Sequence, residues 1–171
     1  MPSAVAISGS PSRTSKSRRL AAHALGRAAA RGFSPSLIDL SDLSADDLLG
    51  RTRSSGIEAA LSSCAAAGIL VVTTPVYRAA YSGLLKVFFD LFPQDALAGV
   101  VAVPIATGAS PAHQLAVDHT LRPLLASVGA LVVAAGVYAV DAQFDGSGPH
   151  ALVTQQIDRA VAEAVAIVSR R

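Results

Sequence analysis

The chain has 171 residues, 51% hydrophobic and 15% charged, with a net charge of +2. That balance excludes a disordered chain and gives no bulk charge for nucleic acid or a membrane surface, while the length suits one domain over 1–171. The single cysteine, Cys64, excludes an intramolecular disulfide and a CxxC redox centre; with no apolar run of transmembrane length and no charged leader at Met1-Pro2-Ser3, a cytoplasmic protein is expected.

The elements follow in order. The run from Ala4 to Ile7 is short enough for one buried strand and breaks at Gly9. A loop of hydroxyls and cations, Ser10-Pro11-Ser12-Arg13-Thr14-Ser15-Lys16-Ser17, leads into a helix over 18–31 that Gly32 stops. A second strand is predicted over 33–40, a loop with one helical turn over 43–49, and a second helix over 57–67. Ile69-Leu70-Val71-Val72-Thr73-Thr74 is apolar on both faces, as a central parallel strand requires, and Pro75 is expected to end it. A third helix (84–92), a fourth strand (100–107), a fourth helix (113–128), a fifth strand (131–140) and a last helix (153–169) complete the pattern. Such alternation predicts an α/β three-layer sandwich with a five-stranded parallel sheet in the flavodoxin-like order 2-1-3-4-5.

In such a sheet the loops after strands one, three and four meet at one end, where ligands bind. Here they are 9–17, 75–83 and 107–113, each rich in Gly, Pro, hydroxyl or aromatic residues, which points to one site. The first loop lacks the Gly-Lys-Ser/Thr of a Walker motif and the three glycines of a dinucleotide fingerprint. Its hydroxyls at a helix start suit a phosphate, and the strand order suits FMN, although a plain serine-capped connection gives the same pattern. In the second loop, Pro75 and Val76 can lie against a flat ring while peptide N–H groups reach its polar edge; a turn with packed tyrosines is the simpler alternative. Thr107, Gly108 and Ala109 are small enough for close backbone approach. His23, His113, His119 and His150 are scattered, Asp118 and His119 face different ways, and no triad order or metal-ligand spacing is present. Accordingly neither a catalytic acid or base nor a metal ligand is assigned.

Gly9-Ser10-Pro11 with Ser15-Lys16-Ser17, and Thr74-Pro75-Val76-Tyr77-Arg78-Ala79-Ala80-Tyr81-Ser82-Gly83-Leu84-Leu85-Lys86, resemble the NAD(P)H-dependent FMN reductases. Pro104-Ile105-Ala106-Thr107-Gly108 and the stretch 112–123 resemble the subgroup that serves alkanesulfonate and methanesulfonate monooxygenases. The resemblance implies a homodimer or homotetramer that oxidises NADPH or NADH and hands reduced FMN to a monooxygenase. It implies that Ser10, Ser15, Lys16 and Ser17 hold phosphate and that Pro75, Val76, Tyr77 and Arg78 line the ring. Gly108 and Ala109, beside Thr107, then close the other side. Ala109 stands where the family often has a second glycine. His119 stands where alkanesulfonate-type members carry tyrosine, on a helix that forms the family's subunit interface. A quinone or azo-dye reductase that keeps its flavin is the nearest alternative, and an FMN-binding electron carrier the next. The helix around Leu84, Leu85, Val87, Phe88, Phe89, Leu91 and Phe92, with Leu115, Leu121, Leu124 and Leu125, is expected to offer a continuous apolar surface to a second subunit.

Overall fold

β1 (Ser3–Ser8) is short, apolar and followed by a hydroxyl-rich loop, and α1 (Lys16–Ala29) opens on a cap made by Ser15, whose side chain accepts from Arg18 N at 3.1 Å. The computed structural model describes residues 1–52, 54–146 and 148–170. The chain continues through β2 (Ser34–Asp39), α2 (Ala45–Leu48), α3 (Ser55–Ala65), β3 (Ile69–Tyr77), β4 (Ala80–Tyr81), α4 (Gly83–Phe89) and β5 (Val101–Gly108). It then runs through α5 (Arg122–Ser127), β6 (Leu131–Val132), β7 (Val137–Val140), the two-residue strands β8 (Phe144–Asp145) and β9 (Gly148–Pro149), and α6 (Ala151–Val168).

The main sheet runs β2-β1-β3-β5-β6, with β7 also parallel to β5 and β4 antiparallel to β3. The predicted order of five positions is therefore present, in a flavodoxin-like α/β sandwich, but the sheet has seven strands. Alternation along β1 and β3 builds a core on each face. Ala4, Ala6, Ile69 and Val71 pack against Leu20 and Ala24 of α1 and Ile157 and Ala160 of α6. Val5, Ile7, Leu70 and Val72 pack against Ile57, Leu85, Phe88 and Leu125 on the other face.

Four expectations need correction. Pro75 does not end β3, which runs on to Tyr77 with Pro75 paired to Thr107. The β1 ladder stops at Ser8↔Thr73, so Pro75 lies where β3 has no neighbour on that side and its missing N–H is tolerated. The fifth strand is split at residues 133–136, and both layers of helices clamp the gap. Ala134 N and Ala135 N donate to the Glu163 carboxylate at 2.7 and 3.0 Å, while Arg122 donates to Val133 O and Ala134 O at 2.6 and 3.2 Å.

The fourth helix is likewise not continuous. It comprises a 3₁₀ turn (Pro111–His113), a π-helical stretch (Val117–Leu121) and α5, with Arg122 N bonded to Val117 O and Pro123 in the first turn of α5, where its missing N–H costs least. Lastly, most of the expected apolar surface is turned inwards, and Leu84, Val87, Leu91 and Phe92 are only half-buried. Leu85, Phe88, Phe89, Leu121, Leu124 and Leu125 are buried in the chain's own core, and Leu115 is the exposed one of the four leucines from 115 to 125, at 57%.

Candidate active site

The carboxyl end of the sheet holds a cleft of about 400 Å³ lined by Ser10, Ser12, Ser15, Lys16, Ser17, Pro75, Val76, Tyr77, Thr107, Gly108, Ala109 and Asp141. Its first wall is the loop into α1. Ser10 and Ser17 are only 2% and 1% exposed, so their hydroxyls are fixed by packing. Ser10 Oγ accepts from Ser12 N at 3.2 Å and Ser17 Oγ donates to Ser15 Oγ at 3.3 Å. The amides of Lys16 and Ser17, in the first turn of α1, have no acceptor among the described residues. At the loop's base Ser8 Oγ is fully buried and likewise without a partner. Free N–H donors at the positive end of a helix dipole, beside fixed hydroxyls, are what an oxyanion needs.

The cations of this region divide by role. Arg18 Nε binds the buried Asp39 at 2.8 Å and Arg13 binds Asp42 at 2.7 Å, so both brace the loop from outside. Lys16 alone of the loop's cations lines the cleft. Its Nζ lies 2.8 Å from Asp141 Oδ1 and 5.4 Å from the centre of the Phe144 ring.

The second wall is the end of β3. Val76 pairs with Tyr81 and Tyr77 with Ala80, so Arg78 and Ala79 form a two-residue hairpin turn at φ 52° and 64°. Both residues are in the left-handed region without being glycine or asparagine, a conformation that costs about 1 kcal/mol or more per residue. Arg78 sits at the exposed tip, outside the cleft. Ser82 ties this wall to the first. Its hydroxyl donates to Gly9 O and accepts from Leu85 N to cap α4, and its own N–H donates to Thr74 Oγ1 at 3.0 Å. Gly9 must be small, because a Cβ there would stand 3.0 Å from Leu85 Cβ and 3.1 Å from Thr73 O.

The third wall is the end of β5. A Cβ on Gly108 would stand 2.3 Å from the Tyr138 hydroxyl, which donates to Ser110 O at 2.7 Å. Burial, and behind it the Asp141 carboxylate, raise the Tyr138 pKa above its usual value, so the phenol remains a donor. Tyr138 thus holds the loop at 108–110 from behind and demands glycine in front.

The family model for NADPH-dependent FMN reductases matches residues 2–145. The chain belongs to that family. It is an oxidoreductase that uses NAD(P)H to reduce FMN. Over 153 residues this reductase is 40% identical to "FMN reductase (NADPH)" of Pseudomonas putida strain KT2440, covering 87% of this chain and 78% of that protein. It is 38% identical over 143 residues to the NADH-dependent FMN reductase SfnE of Pseudomonas putida, covering 81% and 77%. Among solved structures, an apo NADH:FMN oxidoreductase (EMOB) superposes with a TM-score of 0.92 at 40% identity, covering 100% of this chain and 92% of that one. An archaeal flavodoxin at 12% identity and TM-score 0.66 shares the fold alone.

Ten of the eleven residues singled out from the sequence line the cleft of this reductase, and Arg78 does not. Ser12, one of the loop hydroxyls that suit a phosphate, lines it as well, and Asp141 lines it without having been foreseen. Asp141 escapes a sequence reading because it follows a strand whose break and register no local pattern discloses. Ser82 and Tyr138 were missed for a related reason: each acts through a residue distant in sequence, Gly9 and Gly108. Among the described residues no helix is long and apolar enough to cross a membrane.

Proposed function

We propose that the cleft binds FMN as an exchangeable substrate, with phosphate on Ser10, Ser15, Lys16, Ser17 and the free amides of Lys16 and Ser17. The ring lies between Pro75, Val76 and Tyr77 on one side and Thr107, Gly108 and Ala109 on the other. The observation that carries this reading is the set of buried hydroxyls and unpaired N–H groups at the start of α1, facing a wall of flat and small residues. When bound, the flavin supplies the acceptor for hydride from the reduced nicotinamide, C4 to N5.

The chain's own residues bind and orient. Tyr77 is half exposed, which leaves room over the ring for a second planar group. Backbone N–H groups at the cleft rim serve the ring's polar edge, favouring its reduced form. No side chain is required to pass a proton.

The reduced FMN is handed to a monooxygenase of sulfonate metabolism, by a cytoplasmic homodimer or homotetramer of single-domain chains. The subgroup resemblance supports both the recipient and the assembly. NADPH or NADH oxidation that rises with added FMN, by a protein that purifies nearly colourless, is the expected result. Stoichiometric flavin that survives dialysis and turns over only with a further acceptor would overturn the reading. Light scattering that gave a monomer mass with full activity would overturn the assembly.

A further inference from the structure

We propose that Asp141 is a release residue for the flavin phosphate: it competes for Lys16 and keeps FMN binding weak enough for exchange. The inference rests on the reading that the α1 loop holds the phosphate. Among the lining residues Asp141 is the one carboxylate, and the other polar side chains are hydroxyls and one ammonium. It follows β7, across the cleft from the start of α1, so its 2.8 Å pair with Lys16 Nζ spans the two banks. No other cation is paired with it among the described residues, and Phe144 lies under the same ammonium at 5.4 Å.

Two effects of opposite sign are open to such a carboxylate. It can hold Lys16 in place for the phosphate, or it can share the ammonium with the phosphate and repel it. Lys16 is already 37% exposed in this pair, so the ordering it receives from Asp141 is modest. The phosphate carries close to two negative charges, each repelled by the carboxylate, and accepts what Asp141 also accepts. The competing effect therefore wins. A reductase that passes its flavin on gains from it, because tight phosphate binding would slow release.

The test compares FMN with riboflavin, which has the same ring and no phosphate. Asp141→Asn keeps the size of the side chain at a half-exposed position. The expected result is an FMN Kd lowered about tenfold, slower FMN dissociation in stopped flow, and a riboflavin Kd unchanged within about twofold. Asp141→Ser should act in the same direction, and the effect should shrink in a Lys16→Met background. An FMN Kd that rises or stays put in both Asp141 variants, while Ser17→Ala still weakens FMN, would overturn the inference and leave the site standing. Equal tightening of FMN and riboflavin would also overturn it. If Ser17→Ala leaves FMN binding unchanged, the phosphate is elsewhere and both ideas fall.

Discussion

Two hollows flank Tyr138, and the larger is not the one that suits a flavin. The cleft at the carboxyl end of the sheet measures about 400 Å³, and the groove along the split edge strand about 540 Å³. The edge groove is lined by polar groups from both helix layers, among them Gln114, Asp118, Gln156, Arg159 and Glu163. Its principal acid is already engaged, since Glu163 accepts from Ala134 N and Ala135 N and so completes the break in the sheet. The end cleft has the reverse character. Its amides at Lys16 and Ser17 are unspent, and its hydroxyls bond only to one another and to amides of their own loop and helix start. Unspent donors, rather than volume, distinguish a place built for a ligand from one that closes the fold.

The sharpest way to break this contrast is through the wall the hollows share. Gly108→Ala puts a methyl 2.3 Å from the Tyr138 hydroxyl and 3.2 Å from its Cζ. The loop must move into the cleft or the ring into the groove. FMN affinity should fall about a hundredfold. Adding Tyr138→Phe removes the nearer atom and should recover part of the loss, which a double-mutant cycle of titrations would measure. Simple additivity of the two changes would mean that Tyr138 does not set the cleft wall.

Next in size are the hydroxyls of the loop into α1, where the phosphate is proposed to sit. Ser17 is buried, so Ser17→Ala should cost about ten- to a hundredfold in FMN affinity, the worth of a hydrogen bond to a charged acceptor, with the fold intact. Ser15 also caps α1 through Arg18 N, so Ser15→Ala should lose a similar factor together with about 1 kcal/mol of stability. Titration and chemical denaturation on both variants separate the two roles. Equal stability losses would show that Ser15 is not acting as the cap.

How much of this was legible in the sequence depended on the range of each signal. The hydroxyl-rich loop, the buried runs of β1 and β3 and the small residues after β5 are local patterns, and they sufficed for the strand order and for ten lining residues. What escaped is non-local. Pro75 read as a stop because its tolerance depends on β1 ending first, at Ser8↔Thr73. The break at 133–136 depends on Arg122 and Glu163 reaching it from two helices. Leu121, Leu124 and Leu125 read as a free apolar face because composition alone does not say which side a π-helical turn will rotate them towards. The hairpin at Arg78 and Ala79 carries no turn residue at all and is imposed by the pairing of Val76 with Tyr81.

Glu163 provides the converse of the serine variants. Glu163→Ala leaves two amides of the strand break without their acceptor, which should cost about 1–3 kcal/mol in denaturant unfolding. FMN affinity should stay within about twofold, because no residue of the α1 loop touches the groove. A variant of normal stability and poor FMN binding would reverse the roles assigned to the two hollows.

The smallest expected effect bears on the same contrast from the groove's one unspent cation. Arg159 lines the groove, is exposed, and has no ion-pair partner among the described residues. An open arginine beside Gln114 and Gln156 has the chemistry to meet a phosphate, so the groove is the natural rival place for the pyridine nucleotide. Geometry argues against it. Tyr138 and the loop at 108–110 stand between Arg159 and the cleft proposed for the flavin, whereas hydride transfer needs the two rings in contact. A nucleotide anchored by Arg159 would have to pass that wall. Arg159→Ala should therefore leave the KM for NADPH, the KM for NADH and kcat within about twofold, since a surface arginine without a partner contributes little. A tenfold rise in the KM for NADPH with the value for NADH unchanged would identify Arg159 as the contact for the extra phosphate and make the groove part of the active site.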